Sequence, residues 1–193
     1  MSSASAIYGL VLAGGRSSRM GYDKALIDYH GKPQREYLSS ILSIVCEKVF
    51  VSCKQTEIVP AHLHPLPDQF DIESPLNGIL SAFQLNNQVA WLTVPVDMPF
   101  VDESTLRYLT GHRDYKKAAT CFYDSDGKEP EPLLAIWEAS CYNDLLHYYK
   151  QGAVSPRGFL KQQVINLLTP PDKRVHQNIN TREDLDNYQA NRS

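Results

Sequence analysis

The chain has 193 residues, of which 42% are hydrophobic and 21% charged. This length and composition exclude wholesale disorder and predict one soluble domain that folds without disulfides or a structural metal. Nineteen Lys and Arg against 22 Asp and Glu give a net charge of −3, which argues against a nucleic-acid or membrane-surface binder. Since the sequence lacks a run of about 18 apolar residues, we also expect no transmembrane helix and a cytoplasmic location.

The first half of the chain alternates strand-like and helix-like segments. The apolar run Ile7–Leu12 ends at two glycines and predicts a buried strand that leads into a glycine loop. Further strands are predicted at 49–51 and 91–96, and the proline-containing segment 54–74 is predicted to be mostly loop. Helices are predicted from Pro33, over Leu76–Leu85, and after a cap at Asp102.

The pattern changes beyond residue 117. Segments 118–123 and 133–137 predict an antiparallel pair of strands around a polar loop. Helical patterns follow at 141–149 and 156–164, where Ser155 is a candidate cap, and a final helix is predicted from Thr181. The chain is therefore predicted to be a single-domain, Rossmann-like α/β protein: a mostly parallel twisted sheet, helices on both faces and a small antiparallel addition. Ligands of such sheets bind beyond the carboxyl ends of the strands.

Cysteine and histidine give little sign of a metal cage. The four cysteines form no CxxC pair, and we expect free, mostly buried thiols. The nearest histidine pair, His62 and His64, matches no zinc motif and is expected at the surface.

The most informative segment is LAGGRSSRMGYDK at positions 12–24. Paired glycines after a buried strand let backbone N–H groups approach a phosphate, and Arg19 and Lys24 supply cationic groups suited to a triphosphate. The spacing matches neither the Walker A loop nor GxGxxG. Asp97 follows the predicted strand 91–96, where a carboxylate can bind Mg²⁺ together with substrate oxygens and water.

This segment resembles the signature LAGGxSxRMGxDK of the MobA-type nucleotidyltransferases, which make molybdenum cofactor dinucleotides. Weaker matches follow in order along the chain: Asp68 after Pro67, SPLNGI at 74–79, VDMPF at 96–100, PLLA at 132–135 and NTREDL at 180–185. Ser74 and Asn77 depart from the family block GPLAG, and Val96 departs from CDxPF. The resemblance implies a fold like that of the nucleotide-diphospho-sugar transferases.

The resemblance also assigns roles to residues. Asp97 is the implied Mg²⁺ ligand, and it is expected to act in catalysis with Arg19 and Lys24. The remaining implied nucleotide-binding residues lie at the ends of the first strands and beyond: Leu12, Ala13, Gly14, Gly15, Ser52 and Asp68. Residues 7–117 are expected to form the nucleotide-binding half and 118–193 the acceptor-binding half.

By resemblance, the donor is GTP, the acceptor is molybdopterin, and molybdoenzyme-maturation proteins are candidate partners. A cytidylyltransferase of the same fold, acting on molybdopterin or on a sugar or isoprenoid alcohol phosphate, is the alternative within enzymes. A non-catalytic nucleotide-binding regulator is the alternative outside them. Arg157, in the first turn of a predicted helix, is hypothesised to contact molybdopterin, and a solvated surface arginine is the alternative interpretation.

Overall fold

The apolar run at the start of the chain forms the centre of the sheet. Strand β1 (Ile7–Leu12) pairs in parallel with β2 (Lys48–Cys53) on one side and with β4 (Ala90–Pro95) on the other. The predicted strands at 7–12, 49–51 and 91–96 are thereby confirmed. The computed structural model describes residues 5–13, 24–177, 179 and 184.

Four further strands complete the sheet. They are β3 (Pro65–Pro67), β5 (Ala119–Tyr123), β6 (Pro130–Trp137) and β7 (Asn166–Leu168). The strand order is β3-β2-β1-β4-β6-β5-β7, and β6 runs antiparallel to both of its neighbours while all other pairs are parallel. The prediction of a mostly parallel sheet with an antiparallel addition is therefore confirmed. Strands β3 and β7 were not predicted.

Helices cover both faces of this sheet. They are α1 (Gln34–Leu42), α2 (Leu76–Leu85), α3 (Glu103–Gly111), α4 (Tyr142–Lys150) and α5 (Pro156–Leu160). Successive strand residues point to opposite faces, so Val11 packs with α1 and α3 while Leu10 and Leu12 pack with α2, α4 and α5. The sheet is therefore packed between two hydrophobic cores, one on each face.

Two of the predicted helix caps are present. The Asp102 carboxylate accepts a hydrogen bond from the Thr105 N–H at 2.8 Å, and the Ser155 hydroxyl accepts one from the Gly158 N–H at 3.0 Å. Helix α5 ends at Leu160, four residues earlier than predicted, because the chain then turns to form β7 beside β5. The helix predicted from Thr181 falls outside the described residues except for Asp184.

The cysteines and the pair His62 and His64 have the exposure that the sequence predicts. All four cysteines are free, and three are buried. His62 and His64 are exposed, as predicted. Within residues 5–13 and 24–177, together with 179 and 184, each helix is too short or too polar to cross a membrane.

Helix α2 approaches the ends of β1 and β2 closely at Gly78. A Cβ at this position would lie 3.0 Å from Leu12 Cδ2, 3.0 Å from Ser52 Oγ and 3.1 Å from Ser52 Cβ. Because Ser52 Cβ is fixed by its strand, the contact leaves little room for relaxation. A glycine is needed here for proximity.

We predict that Gly78→Ala destabilises the protein by about 1 kcal/mol, since overpacking costs about 1–3 kcal/mol and is partly offset by the better helix propensity of alanine. Urea denaturation measures the change. The matched control is Gly111→Ala in α3, where a Cβ would meet open space. Equal free energies of unfolding for the two variants would contradict the close-packing argument.

Candidate active site

The carboxyl ends of the three central parallel strands form the floor of the candidate site. Leu12 is in register with Ser52 of β2 and with Pro95 of β4, and the Leu12 carbonyl accepts a hydrogen bond from the Val96 N–H at 3.2 Å. Leu12, Ala13 and Ser52 are buried here. The predicted residues Gly14, Gly15 and Arg19 lie outside the described residues.

Asp97 and Lys24 come together at this edge although they are distant in sequence. Asp97 lies just beyond β4 and is half-buried. Burial raises the pKa of the Asp97 carboxyl, and the nearby Lys24 ammonium acts in the opposite direction. Lys24 begins a 3₁₀ turn, Lys24–Leu26, that follows the glycine-loop segment. The two side chains predicted to face a nucleoside triphosphate are thus close enough to interact electrostatically.

The donor set at Asp97 fits Mg²⁺. Across the part of the chain that the structure describes, no group of three or more His, Cys, Asp or Glu side chains is arranged to hold a metal ion. Mg²⁺ prefers oxygen ligands and is commonly held by one or two carboxylates plus substrate phosphates and water. A half-buried carboxylate beside a lysine suits an ion of that kind better than it suits zinc.

Asp68 directly follows β3 in the chain and lies beside the end of β2. Its N–H donates to the Cys53 carbonyl at 2.9 Å, and burial, together with repulsion from Glu57, raises the pKa of its carboxyl to about 6 despite the opposing charge of Lys54. The residues around Asp68 are therefore polar and charged. The sequence analysis named Asp68 and Ser52 in this region but missed Lys54 and Glu57, which are near Asp68 because β3 pairs with β2.

The two departures from the family block have structural roles. The buried Asn77 amide oxygen accepts from the Phe70 N–H at 3.1 Å, and its nitrogen donates to the Ile72 carbonyl at 3.1 Å. The Ser74 hydroxyl donates to the Val154 carbonyl at 2.6 Å and accepts from the Leu76 N–H at 3.2 Å. Asn77 thus fixes the loop after Asp68, and Ser74 joins the start of α2 to the loop before α5.

A second charged cluster is formed by α5 and the segment around β6. Arg157 contacts the Asp124 carboxylate at 3.3 Å and the Glu131 carboxylate at 3.5 Å. Burial raises the pKa of Glu131, and the negative charge of Asp97 acts in the same direction. Glu131 is therefore within electrostatic range of Asp97. Arg157 is thus ion-paired with two carboxylates, and its side chain is still 39% exposed.

Solved structures with this fold include nucleotidyltransferases. The crystal structure of molybdopterin-guanine dinucleotide biosynthesis protein A from Archaeoglobus fulgidus has a TM-score of 0.78 at 23% identity and covers 95% of this chain and 97% of that one. The 2-C-methyl-D-erythritol 4-phosphate cytidylyltransferase from Thermus thermophilus has a TM-score of 0.70 at 11% identity, covering 95% and 97%. The chain therefore shares its α/β fold with these two proteins.

Sequence comparison gives the family. The family model described as the MobA-like NTP transferase domain matches residues 9–167, and the chain belongs to this family. It is thus a nucleotidyltransferase, and the resemblance derived from the sequence is confirmed.

Two curated relatives are similar over most of the chain. The molybdenum cofactor guanylyltransferase of Pseudomonas syringae pv. tomato is 31% identical over 178 residues, which cover 89% of this chain and 88% of that protein. A molybdenum cofactor biosynthesis bifunctional protein of Synechocystis is 32% identical over 181 residues, or 92% of this chain, but the match spans only 52% of that protein. The chain therefore matches about half of the bifunctional relative.

Asp68 gives a prediction about stability and pH. Because its folded-state pKa is raised to about 6, ionisation of Asp68 costs stability as pH rises from about 4 through about 6. Asp68→Asn should match the parent in Tm at pH 3, where the Asp68 carboxyl is protonated in both the folded and the unfolded chain, and exceed it at pH 8. Thermal unfolding across this range measures the difference, with Asp71→Asn on the same loop as the exposed control. A difference that does not change with pH would contradict the raised pKa.

Proposed function

We propose that this protein transfers GMP from GTP to molybdopterin, giving the guanine dinucleotide form of the molybdenum cofactor and pyrophosphate. The observation that carries the proposal is the approach of Lys24 to Asp97 at the carboxyl edge of the sheet. The Pseudomonas syringae relative, a molybdenum cofactor guanylyltransferase at 31% identity, supports the choice of substrates.

The reaction is an in-line displacement at phosphorus. A terminal phosphate oxygen of the acceptor forms a bond to the α-phosphorus of GTP, and the bond from that phosphorus to the α,β-bridging oxygen breaks. Pyrophosphate leaves with the electron pair of the broken bond. Because no side chain needs to form a covalent intermediate, catalysis consists of positioning the two phosphates and stabilising the leaving group.

The chain's own groups divide this work. Lys24 and Arg19 bind the triphosphate, and Leu12, Ala13, Gly14 and Gly15 present backbone to the nucleotide. Ser52 and Asp68 face the ribose or base, at the end of β2. Asp97 would hold Mg²⁺, and the ion would supply positive charge that offsets the charge developing on pyrophosphate.

The acceptor is assigned to the second part of the chain. In this proposal residues 7–117 form the nucleotide-binding half and 118–193 the acceptor-binding half of one domain. Arg157 is the proposed contact for a molybdopterin phosphate, since its guanidinium is held between Asp124 and Glu131 and its side chain is 39% exposed. A guanidinium fixed in this way on a partly exposed side chain is suited to binding a phosphate group in one orientation.

A cytidylyltransferase is the second candidate. The observation that favours this hypothesis is the fold similarity to the Thermus thermophilus cytidylyltransferase, with its TM-score of 0.70. Because Asn77 is occupied by hydrogen bonds to the loop at Phe70 and Ile72, its departure from the family block is explained without a change of nucleobase. The regulator alternative is disfavoured because both Lys24 and Asp97 are present.

The deciding experiment is pyrophosphate release with each of the four NTPs, with and without molybdopterin, in the presence of Mg²⁺. We expect release that requires GTP and molybdopterin together. Release with CTP in place of GTP would favour the cytidylyltransferase. A failure to release pyrophosphate from any NTP, under conditions where GTP still binds, would favour the regulator.

Asp97→Asn is expected to lower kcat by at least about 10²–10³-fold, because it removes the carboxylate proposed to hold Mg²⁺. The measurement is the initial rate at saturating GTP, molybdopterin and Mg²⁺. Asp144→Asn, an exposed change on α4, is the control and should keep the parent rate. A near-normal kcat for Asp97→Asn would remove Asp97 from the mechanism.

Arg157→Ala is expected to raise the KM for molybdopterin while leaving GTP affinity within about twofold, because only one substrate loses a binding contact. GTP affinity is measured without acceptor and set beside molybdopterin saturation curves. Lys161→Ala is the matched control, since Lys161 pairs at 2.6 Å with Glu129, which lies in the same connection between β5 and β6 as Asp124. Weakened GTP binding with an unchanged molybdopterin curve would place Arg157 on the nucleotide side.

A further inference from the structure

We propose that His30 is a positioning residue that fixes the turn carrying Asp97 and thereby sets the affinity for the divalent metal. The imidazole joins the hairpin that follows Lys24 to the turn that follows β4. This inference rests on the proposed function, because it takes Asp97 as the metal ligand.

The hairpin that presents His30 is closed by its own hydrogen bonds. Asp28 and Pro33 form an isolated β-bridge. The Asp28 carboxylate accepts from the His30 N–H at 3.0 Å and from the Gly31 N–H at 2.6 Å. Gly31 has a φ of 81°, a conformation that favours glycine. The backbone at His30 is therefore fixed by interactions that do not involve its side chain.

The His30 side chain then bridges two distant segments. Its Nε2 lies 2.9 Å from the Pro99 carbonyl oxygen, and its ring stacks on Tyr37 of α1 with 3.7 Å between centroids and 18° between planes. Because a carbonyl oxygen only accepts, Nε2 must carry the proton and donate. The stack orients the ring, so the donor points along a fixed direction to the turn.

The turn after β4 is held at two carbonyl groups by residues from outside it. The Asp97 carbonyl accepts from the Ile179 N–H at 3.0 Å, and the Pro99 carbonyl accepts from His30. Phe100 packs into a small apolar cluster with Tyr29 and Ile179. Rotation of the turn would break these contacts together, so they determine where the Asp97 side chain leaves the backbone.

The same hairpin also positions Lys24. The 3₁₀ turn that begins at Lys24 continues directly into it, with the Ile27 N–H donating to the Lys24 carbonyl at 3.3 Å. The bond from His30 to Pro99 therefore connects the segment bearing the cation to the segment bearing the carboxylate. Loss of that bond should affect the metal site more than the stability of the whole domain.

The test compares variants that separate the donor from the ring. His30→Phe keeps the stack on Tyr37 and removes the donor, while His30→Gln keeps an N–H near the position of Nε2 and removes the stack. The matched control is His112→Phe, because His112 Nδ1 lies 2.8 Å from the Tyr108 carbonyl and its ring lies 4.1 Å from the Tyr108 ring, on an exposed surface of α3.

The primary readout is Mn²⁺ binding measured by electron paramagnetic resonance in the presence of GTP and without acceptor, so that no turnover is needed. We expect His30→Phe to raise the Kd for Mn²⁺ about fivefold, the effect of one net hydrogen bond. His30→Gln and His112→Phe should stay within about twofold of the parent, and all three should lose similar small amounts of Tm. If His30→Phe does not fold, His30→Asn, whose shorter amide does not reach Pro99, should show the same rise.

Asp97→Asn separates the metal assignment from the role of His30. If Asp97→Asn loses Mn²⁺ binding and the donor-deleted His30 variant binds Mn²⁺ like the parent, the positioning role of His30 is overturned and the metal assignment stands. If Asp97→Asn binds Mn²⁺ like the parent, the metal assignment and the role of His30 are both overturned. Equal losses of Mn²⁺ affinity in His30→Phe and His112→Phe would also overturn the inference, since they would reflect general destabilisation.

Discussion

The partial burial of the Asp97 carboxylate is the constraint on which the rest of the site depends. A carboxylate out of water is costly unless a cation offsets its charge. Lys24 supplies one such charge, and the backbone around Asp97 is anchored by Ile179 and His30 rather than left free. The strand ends, the 3₁₀ turn and the hairpin at His30 therefore all meet at Asp97.

The fold could be predicted where a segment carries its own signals. Ile7–Leu12 and Leu76–Leu85 match the structure residue for residue, because the first is a continuous apolar run ended by glycines and the second has apolar periodicity behind a proline. Strands β3 and β7 have three residues each and exist only through pairing with β2 and β5. A segment that short has no internal pattern, so the sequence alone could not reveal it.

The candidate site divides in the same way. Asp97 and Lys24 could be named because each belongs to a local motif next to a buried strand. The electrostatic interaction between Glu131 and Asp97 could not be predicted, because it depends on the antiparallel pairing of β6 with β4. In the sequence, Asn77 stands out only as a departure from a family block. Its hydrogen bond to Phe70 depends on the packing of that loop against α2, which no local pattern predicts.

The hydrogen bond from Ser74 to the Val154 carbonyl links the start of α2 to the loop before α5, and it can therefore couple ligand binding at the two segments. Ser74 stands at the start of α2, and Val154 immediately precedes the Ser155 cap of α5. A ligand that displaces one of these segments must strain or break the bond to the other. If one ligand changes the affinity for a second ligand through this link, the second ligand changes the affinity for the first by the same factor. This follows because binding free energies around a closed cycle are reciprocal.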